Sequence, residues 1–278
     1  MNENTSENLV VESPTKKPRL TVCMCTRNRA IRMLPAIKSI LSQDFGLFEF
    51  IIINDASEDS TQKVLLQCSQ QDPRIKIITL STHNFITARN CMMLNTNSDY
   101  VAIMDSDDLC SPDKLGEQVK FLDEHPDIDV VGCKVKFGKL ASQFSIPNTQ
   151  KDWEHDFFEE AIKTENISML LHFPTVMIRK STLDRIFKNK IYFYPELQNG
   201  GEDTIFLYAL YLNGAKFANI SKPTYLYNYL EPDSISSTIG KHYDTENFIF
   251  KYIHDKPLEE RLSKVKELYD KYENYKRK

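Results

Sequence analysis

The sequence predicts an α/β fold, a Rossmann-like, mainly parallel central sheet flanked by helices. Two observations predict it. Short apolar runs that read as strands alternate with longer stretches whose apolar residues recur at helical spacing, an order that implies right-handed β-α-β crossovers. The run Tyr100–Met104 carries no charge at all, as expected of a strand buried within a sheet.

The elements follow in chain order. Residues 1–18 hold two prolines and few large apolar groups, so they are expected to stay disordered. L-T-V-C-M-C from Leu20 to Cys25 reads as a first strand. Ile31, Leu34, Ile37, Ile40 and Leu41 then recur at helical spacing over 31–43, with Pro35 tolerable only in the first turn. F-E-F-I-I-I-N (48–54) is a second strand, and the N-cap-rich A-S-E-D-S-T leads into a helix through Val64, Leu65 and Cys68. Ile75–Leu80 is a third strand, Thr87–Leu94 a short helix and Tyr100–Met104 a fourth strand. A helix over 112–125 follows, with Leu115, Val119 and Phe121 or Leu122 inward. Strands are expected at 130–137 and 173–178, with an acidic, aromatic helix over 152–162 between them. Asn199-Gly200-Gly201 is a turn that opens a helix over 202–212. The tail from Pro257 places Leu258, Leu262, Val265, Leu268 or Tyr269 and Tyr272 at helical intervals. It is expected to pack on the domain or on a partner subunit, since a membrane-surface helix would want a more basic polar face.

At 278 residues the chain can bury a substantial core, and its charged and apolar fractions are ordinary for a globular protein. A net charge of -4 argues against nucleic acid as a general partner. Six cysteines stand singly with no C-x-x-C pair, which suits reduced thiols rather than a disulfide framework or zinc site. No signal-peptide pattern and no transmembrane segment are visible, so the protein is expected in the cytoplasm, free or peripheral to a membrane.

The stretch Y-V-A-I-M-D-S-D-D, Tyr100 to Asp108, ends in three carboxylates within four positions: Asp105, Asp107 and Asp108. In open α/β sheets the ligand crevice lies outside the carboxyl ends of the strands. Asp105 and Asp107 can converge there on one hard divalent ion, Mg²⁺ or Mn²⁺, which prefers oxygen ligands and shares its shell with phosphates. The competing reading is a solvated turn, with an Asp capping the next helix.

Five landmarks occur in one order: T-R-N-R after strand one, N-D-A-S-E-D-S-T after strand two, A-R-N before strand four, D-S-D-D after it, and G-G-E-D at 200–203. Together they resemble the family 2 glycosyltransferases of the GT-A fold, over about residues 19–240. The resemblance implies a hexosyltransferase-type enzyme. It would move a sugar from a nucleoside diphosphate sugar, usually a UDP-sugar, to a hydroxyl of a glycan, lipid or protein acceptor, inverting the anomeric carbon with Mn²⁺ or Mg²⁺. It divides the chain into a nucleotide-sugar-binding half (19–125), an acceptor-binding half of the same domain (126–240) and a C-terminal helical extension (241–278) that could also contact a partner.

Residue by residue, the resemblance gives Asp55 a uracil N–H or ribose hydroxyl, against a local Asx turn. Thr26 and Asn28 line the base pocket or merely pack the loop, and Arg89 reaches base or diphosphate unless it forms a surface ion pair. Asp105 faces the ribose and a metal-bound water, Asp107 ligates the ion directly, and Asp108 caps the following turn. Asp203 takes the acceptor's proton as catalytic base; its bland role is a carboxylate favoured at a helix N-terminus. Glu202 is an acceptor ligand or an exposed cap.

Two departures stand out. Thr82 and Asn84 occupy places where the family carries Asn and Gly, and Asn84 is expected to hold the turn at positive φ. Downstream, Y-N-Y-L-E-P-D-S-I-S lacks the family's Arg and His, leaving His242 as the candidate third metal ligand against a solvated role. The altered motif is the support for an alternative, a catalytically degenerate nucleotide-sugar sensor or scaffold. A phosphatase that uses the first Asp of D-x-D as nucleophile fits less well, because that pair belongs on a first strand. An EF-hand fails because Leu109, Cys110 and Gly116 occupy its ligand and glycine positions.

Overall fold

The computed structural model describes residues 17–137, 155–165, 167–198, 200–227 and 256–274. Most of the N-terminal tail, Asn199, His242 and the start of the helix expected over 152–162 lie outside the described residues.

Strands β1 (Leu20–Thr26), β2 (Phe48–Asn54), β3 (Ile75–Thr79) and β4 (Tyr100–Asp105) pair in parallel in the order β3-β2-β1-β4. The two-residue β5 (Leu109–Cys110), β6 (Val130–Phe137), β7 (Met177–Arg179) and β8 (Phe217–Tyr227) continue the same sheet from β4 as β7-β6-β8-β5. Only β6 and β8 are parallel in this second half; the pairs β4–β7, β7–β6 and β8–β5 are antiparallel.

Because side chains alternate across a strand, each central strand feeds two cores. Val22, Met24, Phe50, Ile52, Ala102 and Met104 meet α1 (Leu34–Leu41), α2 (Thr61–Gln71) and α4 (Lys114–Glu124) on one face. Cys23, Ile51, Ile53, Val101 and Ile103 join the other face, with α3 (Phe85–Leu94), α5 (His155–Ala161), α6 (Ile167–Leu170), α7 (Lys180–Ile186) and α8 (Glu202–Leu212). Burial on both faces is why these strands read as continuous apolar runs.

The C-terminal helix α9 (Leu258–Glu273) belongs to the second face. Val265 and Leu268 are buried in that core, each burial contributing roughly 1.5–3 kcal/mol. Tyr272 stacks on Tyr194 with ring centroids 5.0 Å apart, and Arg261 donates to the Tyr208 hydroxyl at 2.9 Å. The helix is therefore packed on its own domain.

Three expected elements differ. α1 starts at Leu34 with Pro35 in its first turn, and Ile31, expected on the inward face, is 75% exposed in the preceding turn. The strand expected over 173–178 is a 3₁₀ turn at Phe173–Thr175 followed by the short β7; burial makes this segment apolar although the chain coils. Asn84 is extended (φ -159°), not at positive φ: its side chain caps α3 by accepting from the Thr87 amide at 2.8 Å.

Candidate functional site

The parallel register aligns Thr26 with Asn54 and Cys25 with Asp105, so the carboxyl ends of β1, β2 and β4 form one edge. Thr26, Asp55 and Asp105 stand along it. The Asp55 amide donates to the Thr26 carbonyl at 2.9 Å. The buried Asp55 carboxylate accepts from the Asn84 amide (2.9 Å) and pairs with His83 Nδ1 (2.7 Å), which joins the β2 edge to the loop before α3. Asn28 adopts φ 51°, a conformation Asn tolerates better than most residues. Its amide donates to Ser57 Oγ (3.0 Å) and its Oδ1 accepts from the Glu58 amide (2.8 Å), so Asn28 laces the β1 loop to the β2 loop.

Arg89 projects from α3 and is only 7% exposed. Its guanidinium lies between the rings of Phe85 (4.9 Å) and Phe173 (5.1 Å), 3.6 Å from Asp105 and 3.8 Å from Glu202. It is not the surface ion pair that a helical Arg would ordinarily make. Burial raises the Asp105 carboxyl to about 6; Arg89 opposes the rise, and the charges of Asp107 and Asp203 add to it.

Asp107 pairs with Arg29 at 2.7 Å. Asp108 is 1% exposed and accepts the Tyr225 hydroxyl at 2.7 Å; the same Tyr225 oxygen accepts from the Asp105 amide at 3.3 Å. One tyrosine of β8 thus pins the acidic turn after β4.

Gly200 and Gly201 carry φ values of 111° and 83°, positions where a side chain would be strained, and they deliver the chain into α8. Glu202 and Asp203 are the first two residues of that helix. Glu202 is 7% exposed, which overturns the exposed-cap reading. Burial first, and then the Asp203 charge, hold its carboxyl up to about 8 against the pull of Arg89. Asp203 is half-buried, and its Oδ1 accepts from the amide (2.6 Å) and hydroxyl (3.2 Å) of Thr204. Its charge acts on Asp105, Glu202, Arg89 and His172, so the G-G-E-D turn and the D-S-D-D turn share one neighbourhood.

Asp105 and Asp107 supply the hard oxygen donors that suit Mg²⁺ or Mn²⁺. Among the described residues no group of three or more His, Cys, Asp or Glu is arranged to hold a metal. Two carboxylates suffice for an ion whose remaining shell comes from phosphates and water. His242, the candidate third ligand, lies outside the described residues.

Sequence reasoning passed over Arg29, His83, His172 and Tyr225. Arg29 sat inside the T-R-N-R landmark at the carboxyl end of β1, which was the available signal. The other three come from loops and strands whose approach to the site is set by tertiary packing alone.

The model of the family described as Glycosyl transferase family 2 matches residues 21–187. The chain is 36% identical to the "Putative glycosyltransferase EpsE" of Bacillus subtilis over 117 residues, 41% of this chain and 42% of that one. It therefore spans well under two thirds of that relative's length. Its fold is similar to that of S. aureus TarS 1-349 in complex with UDP-GlcNAc, at TM-score 0.65 and 24% identity, covering 79% of this chain and 61% of that one. It is also similar to the mannosyltransferase PcManGT from Pyrobaculum calidifontis in complex with GDP-Man and Mn²⁺, at TM-score 0.57 and 19% identity, covering 77% of this chain and 57% of that one.

Proposed function

The chain belongs to glycosyl transferase family 2 and has a GT-A fold, and on that premise we propose that it is an inverting transferase. It moves a sugar from a UDP-sugar to a hydroxyl of a glycan, lipid or protein acceptor. The observation that carries the reading is the meeting of Asp105, Arg89, Glu202 and Asp203, drawn from β4, α3 and α8, at the carboxyl edge of the sheet. Residues 19–125 form the donor half and 126–240 the acceptor half.

Thr26, Asn28 and Asp55 hold the uracil and ribose, and Asp105 adds a ribose contact. Arg89, fixed between two aromatic rings, carries positive charge to the donor. Asp107, with Asp105, would hold Mn²⁺ or Mg²⁺. When bound, that ion acts as a Lewis acid and neutralises charge on the departing diphosphate, a contribution of several kcal/mol. Thr204 fixes Asp203 Oδ1, which leaves Oδ2 to accept the proton. As the acceptor oxygen bonds to the anomeric carbon from the face opposite the diphosphate, Asp203 takes the hydroxyl proton and UDP leaves with the bonding electrons. Glu202, neutral below about pH 8, can donate to an acceptor oxygen. All six cysteines are free, which supports a reducing, cytoplasmic setting, and no helix among the described residues is long and apolar enough to cross a membrane.

The test is UDP release from a panel of UDP-sugars with Mn²⁺. The wild type turns over at least one of them, and Asp203→Asn binds UDP as wild type does yet transfers at least about a thousandfold more slowly. Donor binding without turnover across a broad acceptor panel would instead favour the sensor reading.

A further inference from the structure

His172 stands just before the Phe173–Thr175 turn, and its carbonyl is held by the Thr175 amide (2.9 Å) and hydroxyl (2.6 Å). Its surroundings are those of the site. The next residue, Phe173, lies against the Arg89 guanidinium and edge-on to Phe206 of α8, 5.7 Å away. The imidazole is edge-on to Tyr227 (4.9 Å) and Tyr225 (6.4 Å) of β8, and Tyr225 is the residue that pins Asp105 and Asp108. Asp203 is the charged group that acts on the ring.

The Nε2 atom is shielded from solvent and, among the described residues, has no hydrogen-bond partner. Such an orphan costs about 1–3 kcal/mol, which calls for an explanation in a native structure. Burial lowers the ring's pKa to about 4, with Asp203 opposing, so the imidazole is neutral at physiological pH. A neutral ring is a poor partner for a diphosphate. It offers one N–H donor and one lone pair, the complement of a hydroxyl.

We propose that His172 is an acceptor-binding residue whose Nε2 hydrogen-bonds a sugar hydroxyl of the acceptor, beside the hydroxyl that Asp203 deprotonates. The assignment rests on the transferase reading. Asp203 remains the base, and His172 orients the incoming sugar while leaving the donor untouched.

The experiment uses the full chain saturated with UDP and diamagnetic Mg²⁺, titrated with methyl glycosides of glucose, galactose, mannose and N-acetylglucosamine and followed by imidazole ¹⁵N NMR. At least one glycoside should shift the His172 Nε2 resonance. His172→Leu should weaken that glycoside about tenfold, while His172→Gln, which keeps a polar atom near Nε2, stays within about threefold of wild type. UDP affinity should be equal in all three proteins, and the melting temperature of His172→Leu should not fall, since the substitution removes a buried unpaired polar atom. The proposal is overturned if no glycoside moves the resonance, if His172→Leu binds the glycoside as wild type does, or if UDP affinity falls in parallel. Repeating the titration without UDP reads His172 separately from the donor. A failure of the transferase reading registers on its own, as absence of UDP release by the wild type.

Discussion

The Arg29 guanidinium stands 2.7 Å from the Asp107 carboxylate, and both side chains are largely shielded from solvent. A cation held there competes with a divalent ion for Asp107; once displaced, it is placed to meet a diphosphate. Arg29→Gln should therefore tighten Mn²⁺ binding to the nucleotide-free protein about fivefold, the size of a partly exposed ion pair, and weaken UDP about tenfold. Mn²⁺ titration by electron paramagnetic resonance and UDP calorimetry read the two effects. Weaker Mn²⁺ binding in the variant would contradict the competition.

Glu202 gives a pH prediction. Its folded value of about 8 lies above its ordinary 4.5, so the folded state holds the proton more tightly than the unfolded chain does. That stabilisation is complete below about pH 4.5 and is lost as pH rises through about 8. Asp105, raised to about 6, contributes in the same direction at lower pH. Glu202→Gln cannot ionise and leaves Asp105 in place. The urea midpoint of the wild type should fall between pH 5.5 and pH 8.5 by clearly more than that of the variant. Parallel pH profiles would show that Glu202 does not titrate in this range.

Tyr225 links the acidic turn to β8 through one oxygen. Tyr225→Phe keeps the ring but removes a hydrogen bond to the buried Asp108 carboxylate. Bonds to charged groups contribute roughly 1.5–3 kcal/mol, so the denaturation midpoint should drop accordingly. The turn that carries Asp107 is also released, and Mn²⁺-dependent UDP affinity should fall several-fold. A stability loss with UDP affinity unchanged would confine Tyr225 to a structural role.

The first half of the fold was legible because its strands are buried on both faces and appear as unbroken apolar runs, and because Asp55 and Asp105 sit at their ends; Arg89, inside α3, stood out only through the A-R-N landmark. What was hidden is non-local. Helical spacing from Ile31 ran into α1 although Pro35 starts that helix late, and the buried Phe173–Thr175 segment mimicked a strand while coiling. Asn84 was read as a glycine substitute, whereas Asn just before a helix is itself a preferred N-cap, and its side chain accepts from the Thr87 amide. The partners Arg29–Asp107 and Tyr225–Asp108 are far apart in sequence, and no local periodicity brings them together.

The A-R-N landmark shows how adjacent residues divide their work. Arg89 turns toward Asp105, while Asn90 turns away and closes the domain. Its Oδ1 accepts from the Tyr192 (2.8 Å) and Phe193 (3.0 Å) amides, and its Nδ2 donates to the Phe193 carbonyl (2.7 Å) and to Ile86 (3.1 Å). These bonds hold α3 against the segment whose aromatic rings fill the second core. Asn90→Ala strips partners from two amides and a carbonyl inside that core, and each buried polar group left unpaired costs about 1–3 kcal/mol. Water entering the vacated space offsets part of this, so the expected loss is about 2–4 kcal/mol by urea denaturation. Because the side-chain bonds of Asn90 run to the Ile86, Tyr192 and Phe193 backbone and not to the acidic turn, UDP affinity at a temperature where the variant is fully folded should change less than threefold. A variant that keeps full stability would show the four bonds to be dispensable. One that folds normally but loses UDP binding would place Asn90 in the donor site beside Arg89.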